Sequence, residues 1–183
     1  MRAGLRTSML IAFLVAGPVA TAAAQSADGA AAWRTIVRVL ASPRCLNCHP
    51  GGDTPTQADD MHRHRPPVQR GVHDAGIAAM RCTTCHADRN QEIAGVPGAP
   101  HWHLAPAAMG WAGLTSGALC RRIKDRDRNG NRSVDALVAH MTGDALVRWA
   151  WTPGGRRTPP PVPFDDFATA LETWAKAGAP CAD

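Results

Sequence analysis

Residues 45–49 are Cys-Leu-Asn-Cys-His, and residues 82–86 are Cys-Thr-Thr-Cys-His. Two thiols separated by two residues and followed directly by an imidazole form the pattern that attaches c-type haem. In that chemistry each thiol adds to one vinyl group of the porphyrin, and the histidine binds the iron as its proximal ligand. The repeated pattern therefore predicts two covalently bound haems. The predicted attachment residues are Cys45, Cys48, Cys82 and Cys85, and the predicted proximal ligands are His49 and His86.

Two other uses of paired cysteines compete with haem attachment. Two Cys-x-x-Cys pairs can hold zinc, but a zinc site leaves both following histidines without a role. Each pair can also form a local disulfide or a thioredoxin-like dithiol. A repeat of the pattern that includes the histidine both times favours haem over both alternatives.

The histidines outside the motifs are the candidates for the opposite side of each iron. Each motif is followed by a Gly/Pro-rich loop and then by a His-x-His pair close to a proline, at 62–64 and 101–103. The second histidine of each pair, His64 and His103, is nearer to the proline that would stiffen its approach, and is predicted as the distal ligand. Which haem each loop serves is left open by the sequence. The alternatives for a distal ligand are His62, His101, His140 and Met109.

Two cysteines, Cys120 and Cys181, lie beyond the motifs. In an oxidising compartment we expect them to form a disulfide. Closing a loop of about 60 residues would contribute roughly 4 kcal/mol in the chain-entropy model. The alternative is that one of them is an axial thiolate, which is a minority choice for haem iron.

The N-terminal residues 1–24 have the features of a secretory signal peptide. Arg2 and Arg6 form a positive region, residues 9–15 are a short apolar stretch, and residues 22–24 are a small-residue cleavage site. The apolar stretch is too short for a membrane anchor. We therefore expect an exported, periplasmic protein with no membrane span after cleavage.

Composition narrows the class of protein further. The chain has 183 residues, of which 45% are hydrophobic and 19% are charged, with a formal net charge of +5. This excludes a multidomain enzyme, a polytopic membrane protein and a mainly polar scaffold. Because the arginines are scattered and no base-stacking aromatic motif accompanies them, nucleic acid is not an expected partner.

Helical periodicity appears at both ends of the chain. Residues 30–42 place Trp33, Ile36, Val37 and Leu40 on one face, and Pro43 ends that helix. Ser116 and Ser133 are each expected to cap a helix, and the first of these helices extends to Lys124. A last helix is expected from Asp165 to Ala177, with Gly178 just beyond it.

Residues 50–70 and 90–106 are loop-like, residues 152–163 are a Pro-rich linker, and no convincing strand pair is evident. We therefore predict a mainly α fold: a small haem-wrapped cytochrome c-like domain with long Gly/Pro loops and a helical C-terminal part. The expected division is a dihaem-binding region at 25–115 with a helical region at 116–183 packed on it, in one compact domain.

Several short stretches accompany the two motifs. They are Gln69-Arg70-Gly71, Pro97-Gly98-Ala99-Pro100, His101-Trp102-His103-Leu104, Leu119-Cys120 with Lys124-Asp125, Arg128-Asn129-Gly130, and Trp149-Ala150-Trp151 with Pro153-Gly154. With the motifs, they resemble small periplasmic multihaem c-type cytochromes, and more closely chains labelled isoquinoline 1-oxidoreductase subunits. The resemblance implies a molybdenum hydroxylase system as redox partner. Four of the six cysteines belong to haem motifs, so this chain cannot be that system's iron–sulfur subunit, and it is too short for the molybdopterin subunit.

These observations predict a periplasmic dihaem c-type cytochrome that transfers electrons between redox partner proteins. The alternative is a dihaem enzyme, such as a peroxidase or a sulfur-compound oxidoreductase, with one open or Cys-ligated haem. A haem-based sensor is a third class, although no output domain is visible. Electron transfer is favoured because the distal candidates outnumber the two that are needed.

Overall fold

The computed structural model describes residues 18–182 of the chain. The predicted signal peptide falls mainly outside the described residues, since only its last part, from residue 18, belongs to the first described helix. Within the described part, no helix is both long and apolar enough to cross a membrane.

The described residues form six α-helices and two very short antiparallel sheets. The helices are α1 (Pro18–Leu40), α2 (Pro43–Leu46), α3 (Ser116–Lys124), α4 (Val134–Gly143), α5 (Ala145–Trp149) and α6 (Phe164–Lys176). The strands are β1 (Thr56–Gln57), β2 (His62–Arg63), β3 (Gly76–Ile77) and β4 (Met80–Arg81), paired β1 with β2 and β3 with β4. The prediction of a mainly α-helical domain is confirmed.

The hydrophobic core is built from helices at both ends of the described chain. Helix α1 packs against α6, and α4 also packs on α6. Trp33 of α1 and Trp174 of α6 are fully buried, with their ring centroids 5.7 Å apart. The apolar face predicted for the first helix is buried except for Val37, which is half-buried, and the core also includes Val39.

The helix boundaries differ from the predicted ones in ways that have local causes. Helix α1 already includes the residues from Pro18 onwards, well before residue 30, because the alanine-rich segment between them favours helix. Helix α3 is capped by Thr115, whose side chain accepts from Ala118 N, rather than by Ser116. The Ser116 hydroxyl instead binds Trp33 Nε1 and the Ala182 carbonyl.

Some of the remaining elements agree with the predictions from the sequence, and others were not predicted. Ser133 caps α4 as expected, and Gly178 follows α6 with a φ of +79°. Helix α5 was not predicted, and neither strand pair was. The strands are only two residues long, so period-2 alternation has no length over which to show itself.

The predicted disulfide is confirmed. Cys120, which is fully buried in α3, is bonded to Cys181 in the C-terminal segment across a sequence separation of 61 residues.

Between α2 and α3 the chain runs mainly through loops. The first Cys-x-x-Cys-His motif begins in α2, where Cys45 and Leu46 pack against the core, and the second lies within the loops, with Cys82–Thr84 in a 3-10 turn.

Candidate functional site

The histidines of the two motifs are held in the same way. His49 Nδ1 lies 2.8 Å from the Met109 carbonyl oxygen, and His86 Nδ1 lies 2.7 Å from the Pro97 carbonyl oxygen. A carbonyl can only accept, so Nδ1 donates in both rings and Nε2 keeps its lone pair. This arrangement is typical of a metal-binding histidine, whose other ring nitrogen is fixed by a backbone partner.

Each of these histidines also stacks on a tryptophan. The ring centroids of His49 and Trp111 are 3.4 Å apart at an interplanar angle of 11°. The ring centroids of His86 and Trp102 are 4.4 Å apart at an interplanar angle of 5°. The stacking and the carbonyl bond together restrain the direction in which each Nε2 points. Neither tryptophan was assigned this role from the sequence, because each lies far along the chain from its histidine.

Both imidazoles are neutral at pH 7. Burial lowers the pKa of His49 to about 4, with a smaller contribution in the same direction from Arg70, while the hydrogen bond to the Met109 carbonyl opposes the shift. Burial also lowers the pKa of His86. A neutral imidazole with a lone pair on Nε2 is the form that binds a metal.

The four cysteines of the motifs are free thiols in the structure. Burial is the main cause that raises the pKa of Cys45 to about 12 and that of Cys48 to about 11. A thioredoxin-like dithiol needs a lowered thiol pKa, so these values disfavour that alternative for the first motif. In residues 18–182, no group of three or more His, Cys, Asp or Glu side chains is arranged to hold a metal ion.

A cavity of about 370 Å³ brings residues of both motifs together. Its volume is within the range typical of small-molecule and cofactor sites. Cys48 of the first motif lines it, as do Cys82, Cys85 and His86 of the second. The predicted distal histidines His64 and His103 line the same cavity.

His64 and His62, which compete for the same role, differ in their hydrogen bonds. Residues two apart in an extended segment project to the same side, so strand geometry alone does not separate them. His62 uses both ring nitrogens, because Nδ1 lies 2.6 Å from Asp60 Oδ1 and Nε2 lies 2.8 Å from Gln57 Nε2. His64 donates from Nδ1 to the Pro66 carbonyl at 2.9 Å, which leaves its Nε2 lone pair available. The His64 and His86 ring centroids are 6.0 Å apart.

The remaining distal candidates lie in different surroundings. His101 and His103 are both exposed, and His103 Nδ1 donates to the His101 carbonyl. His140 is half-buried on α4, with Nδ1 3.6 Å from Asp144 Oδ2. The Met109 side chain is buried in the hydrophobic core, and it is the Met109 carbonyl that contacts His49.

Two arginines at the cavity wall were not singled out from the sequence. Arg44 is 5% exposed, and its Nη2 donates to Asp59 at 2.6 Å, but its buried Nε has no hydrogen-bond partner. Arg157 donates to the carbonyls of Pro153, Gly154 and Gly95. Both line the cavity, although Arg157 belongs to the Pro-rich linker more than a hundred residues further along the chain. In the sequence only their charge could have pointed to a site, and charge does not distinguish these two arginines from the many others in the chain.

Comparison with protein-family models, curated proteins and solved structures gave no match. The functional argument for this chain therefore rests on its own residues and their geometry.

Proposed function

We propose that the protein is a dihaem c-type cytochrome that transfers electrons. The observation that carries this proposal is the repeated setting of the two motifs. In each, two free thiols precede a neutral histidine whose Nδ1 donates to a backbone carbonyl and whose ring stacks on tryptophan. A disulfide gives these histidines no role, and a zinc site made of the two Cys-x-x-Cys pairs would leave both of them without one.

The two motifs offer attachment points for two haems, of which the second motif lines the cavity with Cys82, Cys85 and His86, whereas Cys45 and His49 of the first do not line it. Cys45 and Cys48 would attach one haem and Cys82 and Cys85 the other, with His49 and His86 as proximal ligands. His64 and His103 line the cavity with ring nitrogens available, and would serve as the distal ligands. The unpartnered Nε of Arg44 and the neighbouring Arg157 are suitable donors for propionate carboxylates.

Haem supplies one-electron chemistry when it is bound, and the protein tunes its potential through axial ligands, hydrogen bonds and burial. In this chain the carbonyl bonds to His49 and His86 hold each imidazole in one tautomer and orientation. Two imidazole ligands on each iron would leave no position for a substrate, which favours a carrier over a catalyst. The proposed setting is the periplasm, with redox partner proteins that include a molybdenum hydroxylase.

The test is expression of the full chain with and without a cytochrome c maturation system. We expect two covalent haems per chain only when that system is present, measured by mass spectrometry of the denatured protein and by the pyridine haemochrome spectrum. Cys85→Ala removes one predicted thioether and is expected to weaken attachment at the second motif. Thr84→Ala, at an exposed residue between the same two cysteines, is the matched control and is expected to keep both haems.

The visible spectrum then distinguishes a carrier from the alternative, a dihaem peroxidase or sulfur-compound oxidoreductase. We expect two low-spin haems that do not bind carbon monoxide when reduced. A haem that is high-spin or that binds the gas in the unmodified protein would favour the enzyme. A matured chain with no covalent haem would contradict the proposed function itself.

A further inference from the structure

We propose that His64 is the distal ligand of the haem attached at residues 82–86, so that the loop after the first motif completes the iron of the second. This inference rests on the proposed function and goes beyond it, because it assigns one distal histidine to one of the two irons. An arrangement of this kind makes the second haem depend on a segment of chain that follows the first motif.

The spacing of the two rings supports the pairing. An imidazole nitrogen binds a first-row metal at about 2 Å, and the centre of the ring lies roughly 1 Å behind that nitrogen. Two imidazoles on opposite sides of one iron should therefore have ring centres about 6 Å apart. The His64 and His86 ring centroids are separated by 6.0 Å.

The hydrogen bonds of the two rings are matched as well. His86 Nδ1 donates to the Pro97 carbonyl and His64 Nδ1 donates to the Pro66 carbonyl. Each ring therefore keeps its Nε2 lone pair for a metal. Both rings line the cavity that also exposes Cys82 and Cys85, the thiols of the second motif.

The first motif holds the segment that carries His64. Asn47, between the two cysteines of that motif, donates from Nδ2 to the Ala58 carbonyl at 3.0 Å and accepts from Thr56 Oγ1 at 2.7 Å. The β1–β2 hairpin that these bonds anchor continues directly into His64, whose N–H donates to the Pro55 carbonyl. The hairpin is thus attached at the first motif while His64, just beyond it, reaches the second.

The decisive experiment compares His64→Ala in two full-length backgrounds that each carry one haem. Cys82→Ala/Cys85→Ala keeps only the first attachment site, and Cys45→Ala/Cys48→Ala keeps only the second. Covalent haem content is verified by mass, and the spin state is read from electron paramagnetic resonance and from carbon monoxide binding. In the second-site background we expect His64→Ala to convert the haem from low-spin to high-spin. In the first-site background we expect no change.

The same substitution in the unmodified chain gives an independent measurement if one background fails to fold. There we expect one haem of the two to become high-spin and to bind carbon monoxide. Its proton resonances should show contacts with the Trp102 indole, which stacks on His86, and not with Trp111, which stacks on His49. Added imidazole should return a His64→Gly variant to the low-spin form, and His73→Ala, at an exposed histidine, is the matched control.

Three results would overturn the pairing. One is a His64→Ala protein in which both haems stay low-spin. Another is a spin change confined to the haem at residues 45–49. The third is a change produced by His62→Ala instead. Each of these leaves two covalent haems in place, so it is distinguishable from failure of the proposed function, in which the matured chain carries none.

Discussion

Gly98 shows how a single residue supports the candidate site. A Cβ atom at this position would lie 2.3 Å from the carbonyl oxygens of both Ala87 and Arg89, which are backbone atoms that cannot swing away. The Gly98 N–H donates to Asn90 Oδ1 at 3.1 Å. Its neighbour Pro97 supplies the carbonyl that orients His86. A glycine is therefore required here for close packing of two backbone segments.

We predict that Gly98→Ala destabilises the protein by about 1–3 kcal/mol, because the added methyl group forces the 87–89 and 97–98 segments apart. The free energy of unfolding is measured by urea denaturation followed by circular dichroism. Gly52→Ala is the control, since a Cβ at Gly52 would have nothing within 4 Å. Equal stability of the two variants would contradict the prediction.

The sequence identified individual residues of the candidate site but not the groups that surround and orient them. The spacing of Cys, Cys and His within five residues is a local pattern, so His49 and His86 could be picked out directly. The carbonyls of Met109 and Pro97 that orient them carry no side-chain signal, and no sequence pattern could have found them. The distinction between His62 and His64 likewise needed their hydrogen bonds.

At the scale of elements, the Cys120–Cys181 disulfide joins α3 to the segment after α6. Cys120 is fully buried, and Trp174 Nε1 of α6 donates to the Pro180 carbonyl in that same C-terminal segment at 2.9 Å. The cross-link therefore fastens the end of the described chain to the helical core.

We predict that Cys120→Ala/Cys181→Ala lowers the free energy of unfolding by about 4 kcal/mol, because the unfolded chain regains the entropy of a loop of about 60 residues. Chemical denaturation of the matured protein measures this. Wild-type protein treated with a reductant serves as a second comparison that leaves the side chains unchanged. A double variant as stable as wild type would contradict the entropic account.

Helices were predicted better than strands for a physical reason. A helix of nine or more residues repeats its apolar face at least twice, as Leu137 and Met141 of α4 show. The strand pairs of two residues each are held by a hairpin and its turn contacts rather than by an alternating pattern. Whether these short strands pair therefore depends on the path of the surrounding loops, which the sequence does not show.

At the scale of the whole molecule, Asp59 connects two distant parts of the chain. Its carboxylate accepts from Thr158 Oγ1 at 2.7 Å, from Thr158 N at 3.1 Å and from Arg44 Nη2 at 2.6 Å. The Thr158 side-chain hydrogen bond is the largest cause that lowers the pKa of Asp59, and the Thr158 N–H and Arg44 add to it. This contact ties the Pro-rich linker to the loop that carries His64.

We predict that Asp59→Asn destabilises the protein at neutral pH and that the difference from wild type closes in acid. An aspartate whose folded pKa is lowered contributes stability above its unfolded pKa of about 4, and that contribution is lost as the pH falls through the folded value. Thermal unfolding of both proteins between about pH 7 and about pH 3 measures this. Asp88→Asn, at an exposed aspartate, is the control. A difference that stayed constant with pH would contradict the assignment.

The sequence by itself determined the mainly α character, most of the apolar helix faces, the disulfide partners and the residues proposed to attach haem. Each of these follows from residue types at a short, regular spacing or from the chemistry of a small set of cysteines. Only the tertiary structure decided that the His64 and His86 rings lie 6.0 Å apart, that Arg44 and Arg157 share a cavity, and that Trp102 and Trp111 stack on the two motif histidines. Those relations join residues that are separated in the chain. They depend on how the segment between α2 and α3 packs with the linker before α6, which no local pattern encodes.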